Sequence, residues 1–425
     1  MPIESYSMLI GGEWRDSSDG GTFESINPVT GEPCARVPLA TEQDVDAAVA
    51  AARRAFEEGP WSQSTPVQRA GLLRKLGDLI AANADHLARI QVRENGKLIR
   101  EVAGQAKALA NTCYFYAGVA EFPTGETLAN SVPNMQAFTV REPVGVVAAI
   151  TPWNSPLTQL LAKLGPALAA GCTLVAKPSE VTPASTLILA RLIEQAGFPP
   201  GVVNVVTGAG ATGQTCMAGS RVLVHEEIYD MFGKALAERA AQIKIGDPLD
   251  PASEMGTVSC RAQYEKVLHY IDVAKNEGAR LAAGGKRPDD PALSKGLFVE
   301  PTVFTEVTND MRIAREEVFG PVAVLIRFRD EDDAVRIAND TPFGLAAGVW
   351  TNDVARAHRM IRRLRAGTVW INDYRKVNYV TPFGGFGESG IGRENGVHAV
   401  DEYTEVKTAW INTGGTIKDP FNPRA

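Results

Sequence analysis

A single cysteine lies in a loop of small residues near the middle of the chain. Cys216 stands in the segment 213–221, Gly-Gln-Thr-Cys-Met-Ala-Gly-Ser-Arg, directly before the apolar run 222–224. Small neighbours leave room for a substrate to reach the sulfur, and their backbone can turn N–H groups toward a developing oxyanion. The segment therefore indicates a cysteine nucleophile. The alternative is a small buried hydrophobe, which is the more common role of a free cysteine.

Two further motifs follow predicted strands. The segment 151–156 contains Asn154, whose amide can donate to a carbonyl oxygen, although an asparagine there can also cap a strand-to-helix turn. The segment 177–180 lies at a strand end, where open α/β sheets bind ligands. Lys177 and Glu180 in that segment can both hydrogen-bond ribose hydroxyls. The alternative for this motif is a solvated turn.

Two more motifs lie in the C-terminal half. Glu317 and Phe319 stand two residues apart in the segment 316–322, and a glycine-rich loop at 382–390 leads to residues 392–395. Each motif is weak alone. Together and in this order, the five motifs resemble the NAD(P)-dependent aldehyde dehydrogenase superfamily, from about residue 8 to residue 411.

The resemblance implies a mechanism. Cys216 would attack the aldehyde, and Asn154 with the backbone N–H of Cys216 would form the oxyanion hole. The thiohemiacetal would pass a hydride to nicotinamide and leave a thioester. Lys163 and Glu394 would relay protons, Phe383 would line the substrate tunnel, and no metal is implied.

The implied cofactor-binding residues are Ile150, Thr151, Pro152, Trp153, Lys177, Ser179, Glu180, Glu317 and Phe319. Because a carboxylate at Glu180 repels a 2′-phosphate, NAD is expected rather than NADP.

The chain departs from the family between Thr207 and Cys216. Only residues 208–215 intervene, a shortfall of roughly 70 residues, or about two strand–helix units. The Phe-Thr-Gly-Ser turn, whose helix N-terminus holds the cofactor pyrophosphate, and the Glu-Leu-Gly-Gly segment, which carries the general base, fall inside this gap. Neither motif occurs elsewhere in the sequence. We therefore expect an internal deletion that uncovers apolar faces of the sheet and lowers NAD-dependent turnover.

The junction also produces a misleading pattern. Gly208, Gly210 and Gly213 spell G-x-G-x-x-G after a predicted strand, as a dinucleotide fingerprint should. The fingerprint requires a helix to follow. Only residues 214–220 precede the next strand, and they already hold the cysteine loop. The pattern is therefore not interpreted as a phosphate cradle.

The elements that position these motifs alternate between strand and helix. Short strands are expected over 8–40, helices from Thr41 to about 120, and strands over 136–141, 144–150, 172–177 and 202–207. Helices are expected at 157–170, 182–196, 227–243, 261–278, 331–339 and 353–366. The alternation favours an α/β fold with a parallel sheet covered on both faces. The domains implied are a truncated NAD-binding domain (1–124 and 144–212), a catalytic domain (213–403) and a β oligomerisation arm (125–143 and 404–425).

Composition sets the class of protein. The 425 residues are 44% hydrophobic and 22% charged, with a net charge of -7 and no basic block, which argues against a nucleic-acid partner. Five widely spaced cysteines favour a reducing cytosol over a disulfide framework. No apolar run reaches the length of a membrane span. We expect a cytoplasmic homodimer or homotetramer that takes a small aldehyde.

Two other functions stay open. A deletion form without enzymatic activity would survive as an oligomer partner and would not bind NAD. A cofactor-independent thiol esterase would give a burst with p-nitrophenyl acetate that depends on Cys216.

Overall fold

The computed structural model describes residues 3–122, 125–208 and 216–414. The strands are β1 (Glu4–Ser5), β2 (Met8–Ile10), β3 (Glu13–Arg15), β4 (Thr22–Ile26), β5 (Pro33–Pro38), β6 (Thr127–Leu128), β7 (Met135–Pro143), β8 (Val146–Thr151), β9 (Thr173–Pro178), β10 (Val203–Val205), β11 (Arg221–His225), β12 (Arg280–Ala283), β13 (Thr302–Thr305), β14 (Val322–Phe328), β15 (Phe343–Gly344), β16 (Ala346–Val349), β17 (Thr368–Ile371), β18 (Phe386–Gly387) and β19 (Thr404–Asn412). The α-helices are α1 (Glu42–Glu57), α2 (Pro66–Ala82), α3 (Ala84–Asn95), α4 (Ile99–Ala120), α5 (Pro156–Ala170), α6 (Pro183–Ala196), α7 (Tyr229–Ala241), α8 (Arg261–Asn276), α9 (Arg312–Arg315), α10 (Glu331–Asn339) and α11 (Val354–Arg363).

The first sheet has the strand order β3-β2-β10-β9-β8. Strands β8, β9 and β10 are parallel neighbours, as the sequence predicts. Strand β2, which the sequence analysis did not assign to this sheet, joins β10 in the antiparallel sense. Strands β2 and β3 form a hairpin because Gly11 and Gly12 both take positive φ angles, which a two-residue hairpin turn requires.

Helices α1 to α6 surround this sheet and supply its largest core. Thr41 begins α1 with a capping box that includes Asp44, and Thr65 begins α2 with one that includes Gln68. Helix α2 packs on α4, and α4 packs on α5. Fully buried apolar side chains fill the space between these helices, among them Leu73, Leu76, Ile80, Leu157, Leu161 and Leu164. The helices therefore hold β8 and β9 from one side.

One part of β8 is left uncovered. Strand β8 lies at the end of its sheet in the described structure and pairs with β9 alone. Ala149 and Thr151 point toward α5 and are buried, whereas Ala148 and Ile150 alternate with them and are exposed, Ile150 at 64%. Strand β8 therefore presents both an unpaired edge and an apolar face to solvent.

The second sheet has the order β11-β14-β13-β12 and supports the C-terminal half. Strand β11 pairs in parallel with β14 from Arg221 to His225, and helices α7 and α8 pack against this half. Its core includes Val267, Phe304 and Val324. Strand β11 thereby fixes the C-terminal end of the cysteine loop.

Strands β6, β7 and β19 form a separate antiparallel sheet. Strand β19 pairs with β7 over nine consecutive residues, from Thr404 opposite Pro143 to Asn412 opposite Met135. Val406, Trp410 and Ile411 on this sheet are exposed. The segments expected to form an arm thus lie in one sheet with an apolar surface.

The N-terminal and C-terminal halves meet at the turn after α3. Ser259 donates a 2.6 Å hydrogen bond to the carbonyl of Asn95, and the N–H of Ile99 donates to the carbonyl of Pro248 at 2.9 Å. Gly96 has φ +70 and lies so close to Gly256 that a Cβ on Gly256 would overlap the Gly96 carbonyl oxygen. Within the described ranges, no helix is both long and apolar enough to cross a bilayer.

Candidate active site

Two groups of hydrogen bonds position the described part of the cysteine loop. Arg221, the first residue of β11, donates to Asn309 at 2.8 Å and to the carbonyls of Ile337 and Ala338 at 3.0 and 2.9 Å. The Tyr374 hydroxyl donates to the carbonyl of Met217 at 2.9 Å and accepts from the N–H of Gly219. The loop from Cys216 to Ser220 is therefore attached to β11 and to the segment after β17.

The Cys216 thiol lies between opposing charges. The residue is exposed, so a small molecule can reach the sulfur. Partial burial of the sulfur raises the pKa of the Cys216 thiol, and the Glu317 carboxylate raises it further. The N–H groups of Cys216 and Met217 and the ammonium of Lys97 act in the opposite direction. Because the net effect raises the pKa, the thiol needs a proton acceptor to attack quickly at neutral pH.

The loop after β8 carries the expected oxyanion donor. Asn154 is buried at 6% exposure, and Trp153 before it is fully buried. Asn95 donates to the carbonyl of Trp153 at 3.3 Å, which fixes the loop against the end of α3. The Trp153 and Phe319 rings meet edge to face with centroids 6.4 Å apart. The asparagine and glutamate motifs therefore share one site.

Phe319 has a backbone conformation that non-glycine residues seldom adopt. Its φ is 56°, and Gln263 donates to its carbonyl at 3.2 Å and to the carbonyl of Val318 at 2.8 Å. Such strain is concentrated at functional sites and persists only where the surroundings enforce it. The buried Gln263 amide supplies that enforcement.

The charged pair expected behind the site is formed. Lys163 on α5 donates to the Glu394 carboxylate across 231 residues of sequence. The backbones of Phe383 and Glu394 exchange two hydrogen bonds of 2.7 and 2.8 Å. The backbone segments that carry Phe383 and Glu394 are therefore joined directly.

The lysine motif lies at the carboxyl end of β9. The Lys177 ammonium donates to the carbonyls of Pro178 and Gly208 at 3.2 and 3.1 Å, and burial lowers the pKa of Lys177. Ser179 is buried and donates to the Glu180 carboxylate at 2.9 Å. Glu180 is near enough to oppose the fall in the Lys177 pKa. Both candidate ribose ligands thus lie at one strand end.

Residues 209–215, with most of the glycine pattern at 208–213, lie outside the described residues. Among the residues that are described, no cluster of His, Cys, Asp or Glu has the arrangement of a metal site.

The comparisons with known proteins agree with this geometry. The aldehyde dehydrogenase family model matches residues 14–212 and 209–409. The chain belongs to the aldehyde dehydrogenase family. It is 36% identical to a betaine aldehyde dehydrogenase of Bacillus subtilis (strain 168) over 488 aligned positions, with 98% of this chain and 100% of that protein covered. It is 39% identical to an aldehyde dehydrogenase of Aspergillus niger, with 96% of each chain covered.

Solved aldehyde dehydrogenase structures have the same fold. A betaine aldehyde dehydrogenase from Staphylococcus aureus in complex with NAD+ superposes with a TM-score of 0.96 at 37% identity, covering 98% of this chain and 97% of that chain. The NAD+ complex of an aldehyde dehydrogenase from Bacillus cereus superposes with a TM-score of 0.93 at 40% identity, covering 97% of each chain. The predictions of an aldehyde dehydrogenase fold, of an enzyme of this family, and of NAD as the family cofactor are confirmed.

Sequence reasoning missed three residues that contact the candidate site. Asn95 is the last residue of α3, Lys97 lies in the turn that follows, and Tyr374 comes from the segment after β17. The Asn-Gly-Lys turn was a detectable signal, because polar residues around a glycine directly after an apolar helix indicate a structured turn. Tyr374 gave no such signal.

Proposed function

We propose that this chain is an aldehyde dehydrogenase in which Cys216 attacks the aldehyde carbon and Asn154 stabilises the resulting oxyanion. The observation that carries the proposal is the convergence of the asparagine, glutamate and cysteine motifs on one exposed thiol. Glu317 acts electrostatically on Cys216, and Phe319, two residues later, packs against Trp153 of the asparagine loop. Such convergence is what nucleophilic catalysis on a carbonyl requires.

The first chemical step needs only groups of this chain. The Cys216 sulfur forms a bond to the carbonyl carbon, the C=O π bond opens, and the oxygen takes up the proton that the thiol releases. The Asn154 amide and the backbone N–H of Cys216 stabilise the negative oxygen. Removal of one such donor typically lowers the rate by about 10²–10³-fold. Lys163 and Glu394 hold a proton path behind this centre, supported by their direct contact.

The described residues are suited to bind the two ribose groups of NAD. Lys177 and Glu180 at the end of β9 suit the adenosine ribose, and Glu317 beside Phe319 suits the nicotinamide ribose. The Thr151 hydroxyl and the Trp153 indole N–H, which are buried without a hydrogen-bond partner in the described structure, lie on the loop between these groups. The chemistry that bound NAD supplies is acceptance of a hydride. Within the described residues, no strand–helix unit lies on the open side of β8, where the family's Phe-Thr-Gly-Ser turn would present a helix N-terminus to the pyrophosphate, so the fit is incomplete at the centre of the cofactor.

We further propose that this gap reflects an internal deletion and lowers turnover. The family model matches in two pieces that meet at residues 209–212, and the alignment to the Bacillus subtilis relative has 488 positions against 425 residues here. In a doubly wound sheet, the strands after β10 are added on the other side of β8. The open edge of β8 and the exposed Ile150 therefore support the loss of units that would cover them.

The missing general base predicts a stalled acyl-enzyme. Without such a base the deacylation rate falls by about 10²–10⁴, so acylation is faster than hydrolysis. We expect a stoichiometric burst of p-nitrophenolate from p-nitrophenyl acetate, followed by slow turnover, and no burst in Cys216→Ala. A wild-type steady-state rate of aldehyde oxidation typical of the family would contradict the proposed impairment. The alternative of an inactive oligomer partner predicts no burst at all.

Titration calorimetry with NAD tests the cofactor proposal separately. We expect binding much weaker than micromolar, because the pyrophosphate contacts are lost and only the ribose contacts remain. Micromolar binding would mean that residues around the junction rebuild the cofactor site. The binding assay must be accompanied by a measured mass that matches 425 residues.

We also propose a homodimer or homotetramer in the cytoplasm. The proposal is supported by exposed apolar side chains on both faces of the β7–β19 ladder, Val406 and Trp410 on one face and Val140 and Ile411 on the other. Light scattering coupled to size-exclusion chromatography measures the mass in solution. A monomer at micromolar concentration would contradict this assembly.

A further inference from the structure

A lysine that no sequence motif identified lies beside the oxyanion loop. Lys97 follows the turn Asn95–Gly96, and Asn95 is bonded to the carbonyl of Trp153. The Lys97 ammonium donates to the Ser155 hydroxyl at 3.4 Å. Ser155 is the residue after Asn154 and the N-cap of α5. The ammonium is therefore next to the start of α5, directly after the residue expected to stabilise the oxyanion.

The charge on Lys97 is not neutralised by an ion pair. In the part of the chain that the structure describes, no carboxylate lies within 4.0 Å of its ammonium. Burial lowers the pKa of Lys97, and the Arg375 charge lowers it as well. Glu101 on the first turn of α4 and the Cys216 sulfur act in the opposite direction. A partly buried cation whose nearest partner is a neutral hydroxyl is unfavourable unless an anion completes its surroundings.

Arg375 brings a second positive charge to the same opening. It follows Tyr374, whose hydroxyl is bonded to the cysteine loop and whose ring meets the Trp370 ring edge to face at 5.7 Å. Arg375 has a φ of 63°, and Asn372 before it has a φ of 54°. Within the described ranges Arg375 makes no ion pair, and it is exposed. A strained loop therefore holds an unpaired guanidinium near Lys97 and the thiol.

Glu317 is the carboxylate that acts on the thiol from the other direction. It belongs to the motif assigned to the nicotinamide ribose and raises the pKa of Cys216, whereas Lys97 lowers it. The opening beside Cys216 is thus cationic on the Ser155 side and acidic on the cofactor side. The two sides would select different charges in a ligand.

We propose that Lys97 and Arg375 bind a carboxylate on the substrate, so that the preferred substrates are aldehydes that carry a carboxylate at their other end. The proposal rests on the proposed role of Cys216 and adds the substrate class. Guanidinium and ammonium groups together suit a carboxylate, since the first offers a planar pair of donors and the second a point charge. A cationic aldehyde is repelled by the same pair.

The charge of the opening is measured without NAD, by alkylation of Cys216. Iodoacetate is an anion and iodoacetamide is its neutral isostere, and both react only with the thiolate. Mass spectrometry of the Cys216 peptide gives the two alkylation rates. Their ratio does not depend on the thiol pKa, because both rates scale with the same thiolate fraction. We expect Lys97→Met and Arg375→Gln each to lower the iodoacetate-to-iodoacetamide ratio by about tenfold, the effect of one nearby unit charge.

Control variants separate local charge from net charge. Lys107→Met removes one positive charge from the exposed face of α4 and is expected to leave the ratio unchanged. Lys97→Arg retains the charge and should restore most of the ratio. Because Arg375 is exposed, its replacement keeps the fold even where Lys97→Met does not. An unchanged ratio in folded Arg375→Gln would overturn the cationic opening.

Reversible thiohemiacetal formation then tests the substrate class. An aldehyde that adds to Cys216 protects it from iodoacetamide, and this addition needs no oxidant. We expect 4-oxobutanoate to protect wild-type Cys216 at about a tenfold lower concentration than butanal, and this preference to vanish in Arg375→Gln. Equal protection by both aldehydes would overturn the carboxylate preference. Protection by neither would instead contradict Cys216 as the aldehyde nucleophile, so the two failures are distinguishable.

Discussion

Asn154 and Cys216 make separable contributions to the same centre. Attack on an ester creates an oxyanion that the Asn154 amide stabilises, whereas alkylation by iodoacetamide creates none. We therefore expect Asn154→Ala to slow the p-nitrophenyl acetate burst by about 100-fold and to leave the alkylation rate of Cys216 unchanged. Stopped-flow absorbance and peptide mass spectrometry give the two rates. Equal losses in both reactions would mean that Asn154 supports the loop and not the oxyanion.

Glu317 opposes formation of the Cys216 thiolate. Its carboxylate raises the thiol pKa, so Glu317→Gln should lower that pKa and increase the alkylation rate of Cys216 near pH 7.5. Glu316→Gln is the matched control. That neighbouring carboxylate is bonded to Arg312 and Tyr270, which hold its pKa at about 2. A similar increase in both variants would contradict a specific effect of Glu317.

At the scale of elements, β8 is the strand whose edge is unpaired and whose Ile150 side chain is exposed. Its unpaired edge and apolar face favour association with other chains. Ile150→Lys places a charge on that face, and we expect less self-association with little change in melting temperature. Val67→Lys replaces a comparably exposed residue on α2, Val67 being 65% exposed, and serves as the control. Light scattering during slow heating compares the variants, and equal aggregation of both would contradict a special role for β8.

Helix α6 begins on a buried carboxylate. Glu94 accepts from the N–H groups of Ala184 and Ser185 at 2.6 and 3.0 Å, yet burial raises the pKa of Glu94 from 4.5 to about 7. A carboxyl group with a higher pKa in the folded state than in the unfolded state favours folding when protonated. Its stabilisation is complete below the unfolded pKa and is lost as the pH rises through the folded pKa.

Glu94→Gln removes this titration. From about pH 5 to about pH 8 the wild-type protein should lose up to about 3 kcal/mol of unfolding free energy relative to the variant. Urea unfolding at both pH values measures the difference. Replacement of the exposed Glu227 by Gln should leave the pH dependence of the wild type unchanged. Parallel pH profiles of wild type and Glu94→Gln would exclude this carboxyl as the titrating group.

The sequence predicts most elements of this fold for a simple reason. Helices such as α1 and α2 have local capping signals at Thr41 and Thr65, and β9 is a short apolar run between two helices. The antiparallel attachment of β2 to β10 was not predictable, since it depends on contacts between residues far apart in the chain. The five motifs predicted the candidate site. The sequence did not identify Lys97 and Arg375, because their significance comes from proximity in space and not from spacing in the sequence.

For the whole molecule, the closely packed turn after α3 links the two halves. A methyl group on Gly256 would overlap the carbonyl oxygen of Gly96, so the backbone would have to shift to accept it. We expect Gly256→Ala to destabilise the protein by about 1–3 kcal/mol and to separate unfolding of the halves into two transitions. Gly104→Ala is the control, because a Cβ there meets nothing within 4 Å and α4 gains about 1 kcal/mol of helix propensity. Calorimetry distinguishes a single transition from two.

The long ladder between β7 and β19 also constrains how the protein is made. Lys407 on β19 is paired with Glu142 on β7, 265 residues earlier in the chain. During synthesis β7 leaves the ribosome long before its partner exists, and at about 5–20 residues per second the delay lasts on the order of 10–50 seconds. Val140 and its neighbours on β7 stay without their partner strand throughout this interval. We therefore expect the nascent chain to need chaperone protection at β7 until β19 has been synthesised.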